Sequence, residues 1–459
     1  MNSLFALPAA LATIQHTDLG TGMPLWSIAP FALILLSIAV LPLVAEKWWH
    51  HNRNRALVVA LFALPFAFWL YKTYGEASFP AFRHAILDYV SFFSLLGALY
   101  VISGGVYVKG SLNGTPLSNT AILAIGAVLA NLIGTTGASM VLIRPLLRAN
   151  KSRVKRAHIV VFFIFIVSNC GGLLTPFADP PLFLGFLKGV PFEWTLRFWR
   201  EWATVNGILL VVFQFLDSYV FDKEEKERAG SQLEAVMKHE RLGIEGAHNV
   251  FFLFAIVAVI LAKGQGLGTS GGHWPFGVQE GLMLGLACAS YFSTKRATHQ
   301  KNSFSFAPIN EVAILFAGIF ITMIAPLAIL NERGGELPIT HAWQYFWATG
   351  ALSSFLDNAP TYLTLAAAAC GKAGVSVDSP RYLAEYLSVR AEDSLILEAI
   401  SCGAVMMGAM TYIGNGPNFM VKAIAEESGV KMPSFFGFML WSCAILLPCF
   451  VIVTFAFLV

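Results

Sequence analysis

Two apolar stretches of this chain are interrupted by the same polar, helix-breaking signature. Residues 172–183 read G-L-L-T-P-F-A-D-P-P-L-F, and residues 408–419 read G-A-M-T-Y-I-G-N-G-P-N-F. Both fit G-x-x-T-x-x-small-(D/N)-x-P-x-F, and each is flanked by residues that would otherwise build a membrane-spanning helix. Helices broken at corresponding places in two halves of a membrane protein are the best sequence pointer to a transport site.

Composition sets the class. Of 459 residues, 56% are hydrophobic and 12% charged, far from the roughly 25% charged residues of soluble domains. The chain therefore reads as an all-α polytopic membrane protein. A net charge of +3 is too balanced for nucleic-acid binding. None of the six cysteines forms a C-x-x-C pair, and they read as small buried hydrophobes. Residues 4–12 are apolar but short and have no basic residues before them, as in either a signal-like segment or a surface helix.

A span needs about 20 mostly apolar residues. About ten candidates satisfy this: 26–45, 56–71, 85–108, 157–190 (broken), 201–221, 247–262, 277–293, 308–330, 398–425 (broken) and 435–459. Two further stretches, 118–147 and 341–371, are apolar but interrupted mid-way. Basic loops mark the cytoplasmic side. The runs 47–55, 148–156, 222–241 and 295–301 are therefore assigned inside, and the glycine-rich loop 264–277 outside.

That assignment decides the two interrupted stretches. Span 85–108 ends inside and the basic loop at Arg148 is also inside, so 118–147 must enter and leave on one side. It reads as a re-entrant hairpin with its tip near Gly134-Thr135-Thr136-Gly137. The same counting makes 341–371 a hairpin from the outer face, with its tip near Asp357-Asn358-Ala359-Pro360. The two broken helices then run in opposite directions, as an inverted repeat. The chain divides into an N-terminal segment (1–25), scaffold helices (26–117), a first repeat core (118–221), a solvated cytoplasmic linker (222–246), second scaffold helices (247–340) and a second repeat core (341–459).

Non-helical backbone at membrane depth survives only where protein buries it or it lines a cavity. The two tips and two breaks are therefore expected to meet at one wetted site. Asp179 and Asp357 are the leading residues there, because an ionisable group at membrane depth is a functional hypothesis by default. Such a carboxylate can hold H⁺ or Na⁺. Each also suits a helix N-cap. Asn358, Asn415 and Asn418 offer amide oxygens to a cation or amide hydrogens to a carboxylate. Thr135, Thr136, Thr175, Thr361 and Thr411 offer hydroxyls, which suit hard cations and equally bond back to the i−4 carbonyl. Arg144 reads as structural, Asp88 and Glu311 as interface residues, and His50, His51 and His158 as solvated beside basic loops. No Walker motif, metal-ligand cluster or nucleophile–base pair is visible, so the chain does not read as an enzyme, and no cofactor is expected beyond transported Na⁺ and H⁺.

The stretches G-T-T-G-A-S-M-V-L-I-R-P-L, S-N-C-G-G-L-L-T-P-F-A-D-P-P-L-F-L-G-F, L-D-N-A-P-T and Y-I-G-N-G-P-N-F resemble the ion transporter superfamily. The likeness is to bacterial citrate transporter / sodium:proton antiporter proteins, NhaD-like and CitMHS-like. It implies a multi-pass protein of the bacterial inner membrane, a homodimer with scaffold and transport domains, and elevator-type alternating access. It also implies that Thr135 and Thr136, 169–179, Asp357 and Asn358, and 411–418 form the site. Two carboxylates near one site favour Na⁺ (or Li⁺)/H⁺ antiport. Cation-coupled citrate or dicarboxylate transport is the alternative, and an oxyanion permease such as an arsenite carrier is the third reading.

Overall fold

The computed structural model describes residues 22–111, 114–227, 240–264, 267, 274–302 and 304–459. The N-terminal segment at 4–12 and most of the glycine-rich loop at 264–277 lie outside them. The first helices are α1 (Ala29–Val44), α2 (Asn52–Tyr74) and α3 (Phe79–Gly104). A short strand β1 (Tyr107–Ser111) leads to α4 (Pro116–Ala149), α5 (Ala157–Cys170), α6 (Pro180–Leu187) and α7 (Trp199–Glu227). Strand β2 (Glu240–Glu245) opens the second half. There follow α8 (Asn249–Gly264), α9 (Val278–Ser293), α10 (Ala307–Thr322), α11 (Ile324–Glu332), α12 (Ala342–Ser353), α13 (Asn358–Lys372) and α14 (Tyr382–Val389). The last are α15 (Ala391–Met407), α16 (Gly416–Glu427) and α17 (Phe435–Val453).

Among the described residues seven helices are long and apolar enough to cross a membrane, and the chain is a helical, multi-pass membrane protein. The sequence reading had about ten spans. The difference comes from helices that are broken or short, such as Ala157–Cys170 and Asn249–Lys263. In α2 the exposed Leu57, Leu61, Leu64 and Phe68 fall on one stripe, the face a lipid-contacting helix presents. By contrast every residue from Val160 to Val167 in α5 is fully buried. A helix that is apolar all round belongs in the interior, and α5 occupies it.

The interrupted stretches are hairpins. In α4, Gly134 has φ 79 and ψ 155, which breaks the helix. The Asn119 amide donates to Asn150 Oδ1 at 3.0 Å, and the Asn150 amide donates back to Asn119 Oδ1 at 2.7 Å. In a straight helix residues that far apart in sequence would stand about 46 Å apart, so the two arms fold back on each other. Likewise α12 and α13 form a hairpin whose open end is closed by Lys372 Nζ donating to the Ile339 carbonyl at 2.7 Å. The halves are interlocked. The half-helix α6 of the first half packs on α13 of the second hairpin, and the half-helix α16 of the second half packs on α4.

Three sequence expectations need correction. The linker 222–246 is not simply solvated: α7 runs to Glu227, and β2 pairs antiparallel with β1 (Tyr107 opposite Glu245), adding a small ribbon to an otherwise α fold. His158 is buried. Its Nε2 lies 2.8 Å from Asp217 Oδ1, in a cluster where Arg153 meets the same Asp217 oxygen at 2.6 Å. Glu224 closes this clasp by accepting from the backbone amides of Val154 and Lys155 at 2.6 and 2.8 Å. The basic loop therefore turns part of its charge inward, where acidic groups of α7 neutralise it. Of the cysteines, Cys288 is exposed and Cys443 half-buried, whereas the other four are buried.

Asp217 and Arg153 are both at 0% side-chain exposure. Removing one member of a buried pair strands the other's charge. We expect Asp217→Ala to lower stability by about 3–5 kcal/mol, read as a fall in the melting temperature of the purified protein. An unchanged melting temperature would show that the clasp contributes nothing.

Candidate functional site

The two breaks put matching residues at matching places. Asp179 precedes α6 and Asn415 precedes α16, both in extended backbone (φ −143 and −152) at the helix N-cap. Neither side chain caps its own helix. They face each other instead, the Asn415 amide donating to Asp179 Oδ1 at 3.1 Å. The positions aligned by the repeated signature are therefore in contact across the two halves.

Both hairpin tips reach the same carboxylate. Thr135 Oγ1 donates to Asp179 Oδ1 at 2.9 Å, and its backbone N–H donates to the Ala178 carbonyl at 2.8 Å. The amide of Asn358, first residue of α13, donates to Asp179 Oδ2. Asp179 is 1% exposed, and its oxygens thus accept from the first tip, the second tip and the second break. The N-terminal ends of α6, α13 and α16 converge there, and their partial positive charge favours the anion.

A second layer holds this arrangement. Asn169 donates to Asn418 Oδ1 at 2.7 Å, and Asn415 donates to Asn169 Oδ1 at 3.1 Å, tying α5 to α16. Asn418 in turn donates to the carbonyls of Gly408 and Thr411 at 2.8 and 2.9 Å, which satisfies the unwound backbone of the second break. Thr175 donates to the Asn131 carbonyl at 2.7 Å, and Thr411 donates to the Ser354 carbonyl. These two threonines occupy the same place in the signature, and each ties its break to the hairpin of its own half.

The remaining sequence candidates are placed differently. Asp357 is half-buried and within electrostatic reach of Asp179, but its Oδ1 accepts from the Ala359 amide at 3.1 Å, as an N-cap does. Thr361 Oγ1 bonds back to the Asp357 carbonyl at 2.9 Å. Thr136 is half-buried and lines a small pocket with Gly134, Thr135, Ala178 and Asp179, roofed by Leu95, Leu99 and Tyr100 of α3. That pocket has about 30 Å³ of free space, room for about two waters. Arg144 lies within electrostatic reach of Glu427 at the end of α16. Asp88 pairs with Lys188 just after α6, and Glu311 pairs with Arg55 at 3.0 Å.

Sequence reading missed Asn131. Its amide holds the Gly171 carbonyl at 2.6 Å and its Oδ1 accepts from the Leu174 amide at 2.8 Å, so it braces the first break from inside the hairpin. Trp202 and Asn206 of α7 also donate to the Gly171 and Cys170 carbonyls, at 2.8 and 3.0 Å. An asparagine in the middle of an apolar hairpin arm was the available signal for Asn131. No local signal marks Trp202.

The Asn358 Oδ1 oxygen is buried and has no donor. A neutral acceptor left unpaired beside a carboxylate is costly, and a small cation would satisfy both. Among the described residues no group of three or more His, Cys, Asp or Glu is arranged to hold a metal ion. Any cation here would rest on one carboxylate together with amide, hydroxyl and carbonyl oxygens, the ligand set of a weakly held alkali ion.

The model of a protein family described as "Putative citrate transport" matches residues 20–458. The chain belongs to that family. The description is one of transport, and the match runs through both hairpins and both breaks. No curated protein matches the chain.

Gly134 is the backbone pivot of the first tip. Its φ of 79 is strained for any other residue, and a Cβ there would stand 3.2 Å from the Phe177 carbonyl. We expect Gly134→Ala to cost about 1–3 kcal/mol from backbone conformation alone and to displace Thr135 from Asp179. Thermal unfolding together with a transport assay checks it. Full transport at wild-type stability would remove Gly134 from the site's framework.

Proposed function

We propose that this protein is a secondary active transporter that exchanges Na⁺ (or Li⁺) for H⁺ at Asp179. The observation that carries the reading is a single buried carboxylate contacted by both hairpin tips and the opposite break. A site with one carboxylate and neutral oxygens has room for one positive charge. Na⁺ and H⁺ compete for it, and competition for one site is what couples the two flows. The small pocket beside Asp179 supports a small cation over a tricarboxylate in this conformation. Asp357 adds a second negative charge nearby, which raises the attraction for a cation without contacting it.

Alternating access follows if the two halves are inverted repeats, with hairpins and broken helices moving as one body against α1–α3 and α8–α11. Two features support this reading: the same element order in both halves, and the reciprocal packing of α6 on the second hairpin and α16 on the first. The pocket lies where α3 meets the first tip, at the seam such a motion would open. A homodimer of the inner membrane joined through scaffold helices is the assembly this reading expects. No enzymatic step or resident cofactor enters it.

The family description favours a second reading, cation-coupled citrate or dicarboxylate transport. The convergent helix N-termini are suited to a carboxylate. It requires bound cations to offset Asp179 and Asp357, and a wider cavity than this conformation has.

Reconstituted protein in vesicles with an acid interior and a trapped pH dye separates the two. External Na⁺ is expected to alkalinise the interior. Saturable uptake of labelled citrate, with no response to Na⁺, Li⁺ or K⁺, would establish the second reading instead. Asp179→Asn is expected to abolish exchange in the same vesicles, since an amide cannot carry the proton. Asp357→Asn preserves an N-cap, so any loss of exchange in it reports on the charge alone. Undiminished exchange by Asp179→Asn would take that residue out of the mechanism.

A further inference from the structure

Glu201 and Glu398 form a pair of acids that is not among the groups bonded to Asp179. Glu201 lies in the first turn of α7, and Glu398 in the first half of α15. They are 3% and 7% exposed. Their carboxyl groups are within hydrogen-bonding reach of each other. Glu201 Oε2 is buried and has no donor, although the Glu398 carboxyl stands beside it. Two carboxyl acceptors facing each other are joined by a proton between them.

The charged surroundings do not replace that proton. Arg197, in the turn before α7, places Nε 3.2 Å from Glu398 Oε2 and also bonds Ser394. Arg200 is within electrostatic reach, but its guanidinium carbon sits 5.4 Å over the Phe457 ring and no ion pair to either acid is formed. The Cys402 thiol, one turn further along α15, is the other titratable group beside the pair. One arginine in contact therefore meets two carboxyl groups. With a single proton shared between the acids, the contact set is neutral. Without it, two carboxylates touch, and like charges at that distance cannot both ionise cheaply.

We propose that Glu201 and Glu398 are a second proton-binding site, holding one shared proton between α7 and α15. The ligand is H⁺ itself, taken up as an O–H bond on one carboxyl and a hydrogen bond to the other. Arg197 is half-exposed, so the site has a path to solvent. Its position gives the proton a structural consequence. The next residues of α7, Trp202 and Asn206, hold the carbonyls of the first break. The far end of α15 leads into the second break. The shared proton clasps the helix that supports one break to the helix that ends in the other. Its loss sets two negative charges against each other across that contact. This holds whichever substrate Asp179 serves.

Infrared difference spectroscopy tests it without any transport assay. Full-length protein in lipid nanodiscs is titrated with base, and the carboxylic acid C=O band lost on deprotonation is followed. Asp179→Asn serves as the background, to remove the central carboxyl. In that background, Glu201→Gln and Glu398→Gln are each expected to remove the same single-proton band. The double variant is expected to remove no more than either alone. Should one single variant not fold, the double variant, which carries no charge and keeps an amide–amide hydrogen bond, supplies the same comparison. A band unchanged by these substitutions overturns the proposal. So does an additive loss, which would mean two separate protonated acids rather than one shared proton. Because the band reports protonation alone, these outcomes stand apart from success or failure of the Na⁺ assay.

Discussion

Asp179 is a carboxylate sealed inside a chain that is mostly apolar, and the rest of the fold is arranged to make that tolerable. An unpaired buried charge costs far more than a fold can spare, so its oxygens need donors. Thr135 and Asn358 come from the two hairpin tips and Asn415 from the opposite break. No one half of the chain supplies them all. The carboxylate is stable only once both halves have assembled around it, which couples the site to the whole architecture.

The same logic runs outward from the site. Breaking two helices releases carbonyl and amide groups that have no water to meet. Asn131, Asn418, Trp202 and Asn206 take up those of Gly171, Gly408, Thr411 and Cys170. The asparagines do two jobs, since Asn418 also receives the Asn169 amide and thereby joins α5 to α16. A polar network with nearly every member paired is rigid. Among the described residues two of its oxygens lack a donor, Asn206 Oδ1 and Asn358 Oδ1, the second beside the carboxylate. Under the proposed exchange, a small cation beside Asp179 would give Asn358 Oδ1 the partner it lacks.

Charge elsewhere is handled by pairing at the edges of the bundle. Arg153, Asp217, His158 and Glu224 clasp the base of the first hairpin to α7, and the mutual Asn119–Asn150 bonds close the hairpin itself. Lys188 meets Asp88 where α6 ends against α3. That ion pair ties the elements around Asp179 to α3.

The amino-acid sequence alone determined the membrane class, the two breaks, the two hairpins and the place of Asp179 at the first break, because each leaves a local mark. Apolar length, a Pro-flanked polar signature and the sidedness of Lys and Arg are all readable within a few dozen residues. Tertiary structure decided the partners. Asn415 meets Asp179 from 236 positions away, and Asn169 meets Asn418 across 249. No periodicity encodes such distances, although the repeated signature had already aligned Asp179 with Asn415. The clasp around Asp217, the β1–β2 ribbon and the Glu201–Glu398 pair were illegible for the same reason: an acid on an apolar helix looks alike whether lipid headgroups, a cation or another acid will face it. The capping role of Asp357 was legible as one of two options, and the bond to the Ala359 amide could be seen only once the chain had turned at the tip.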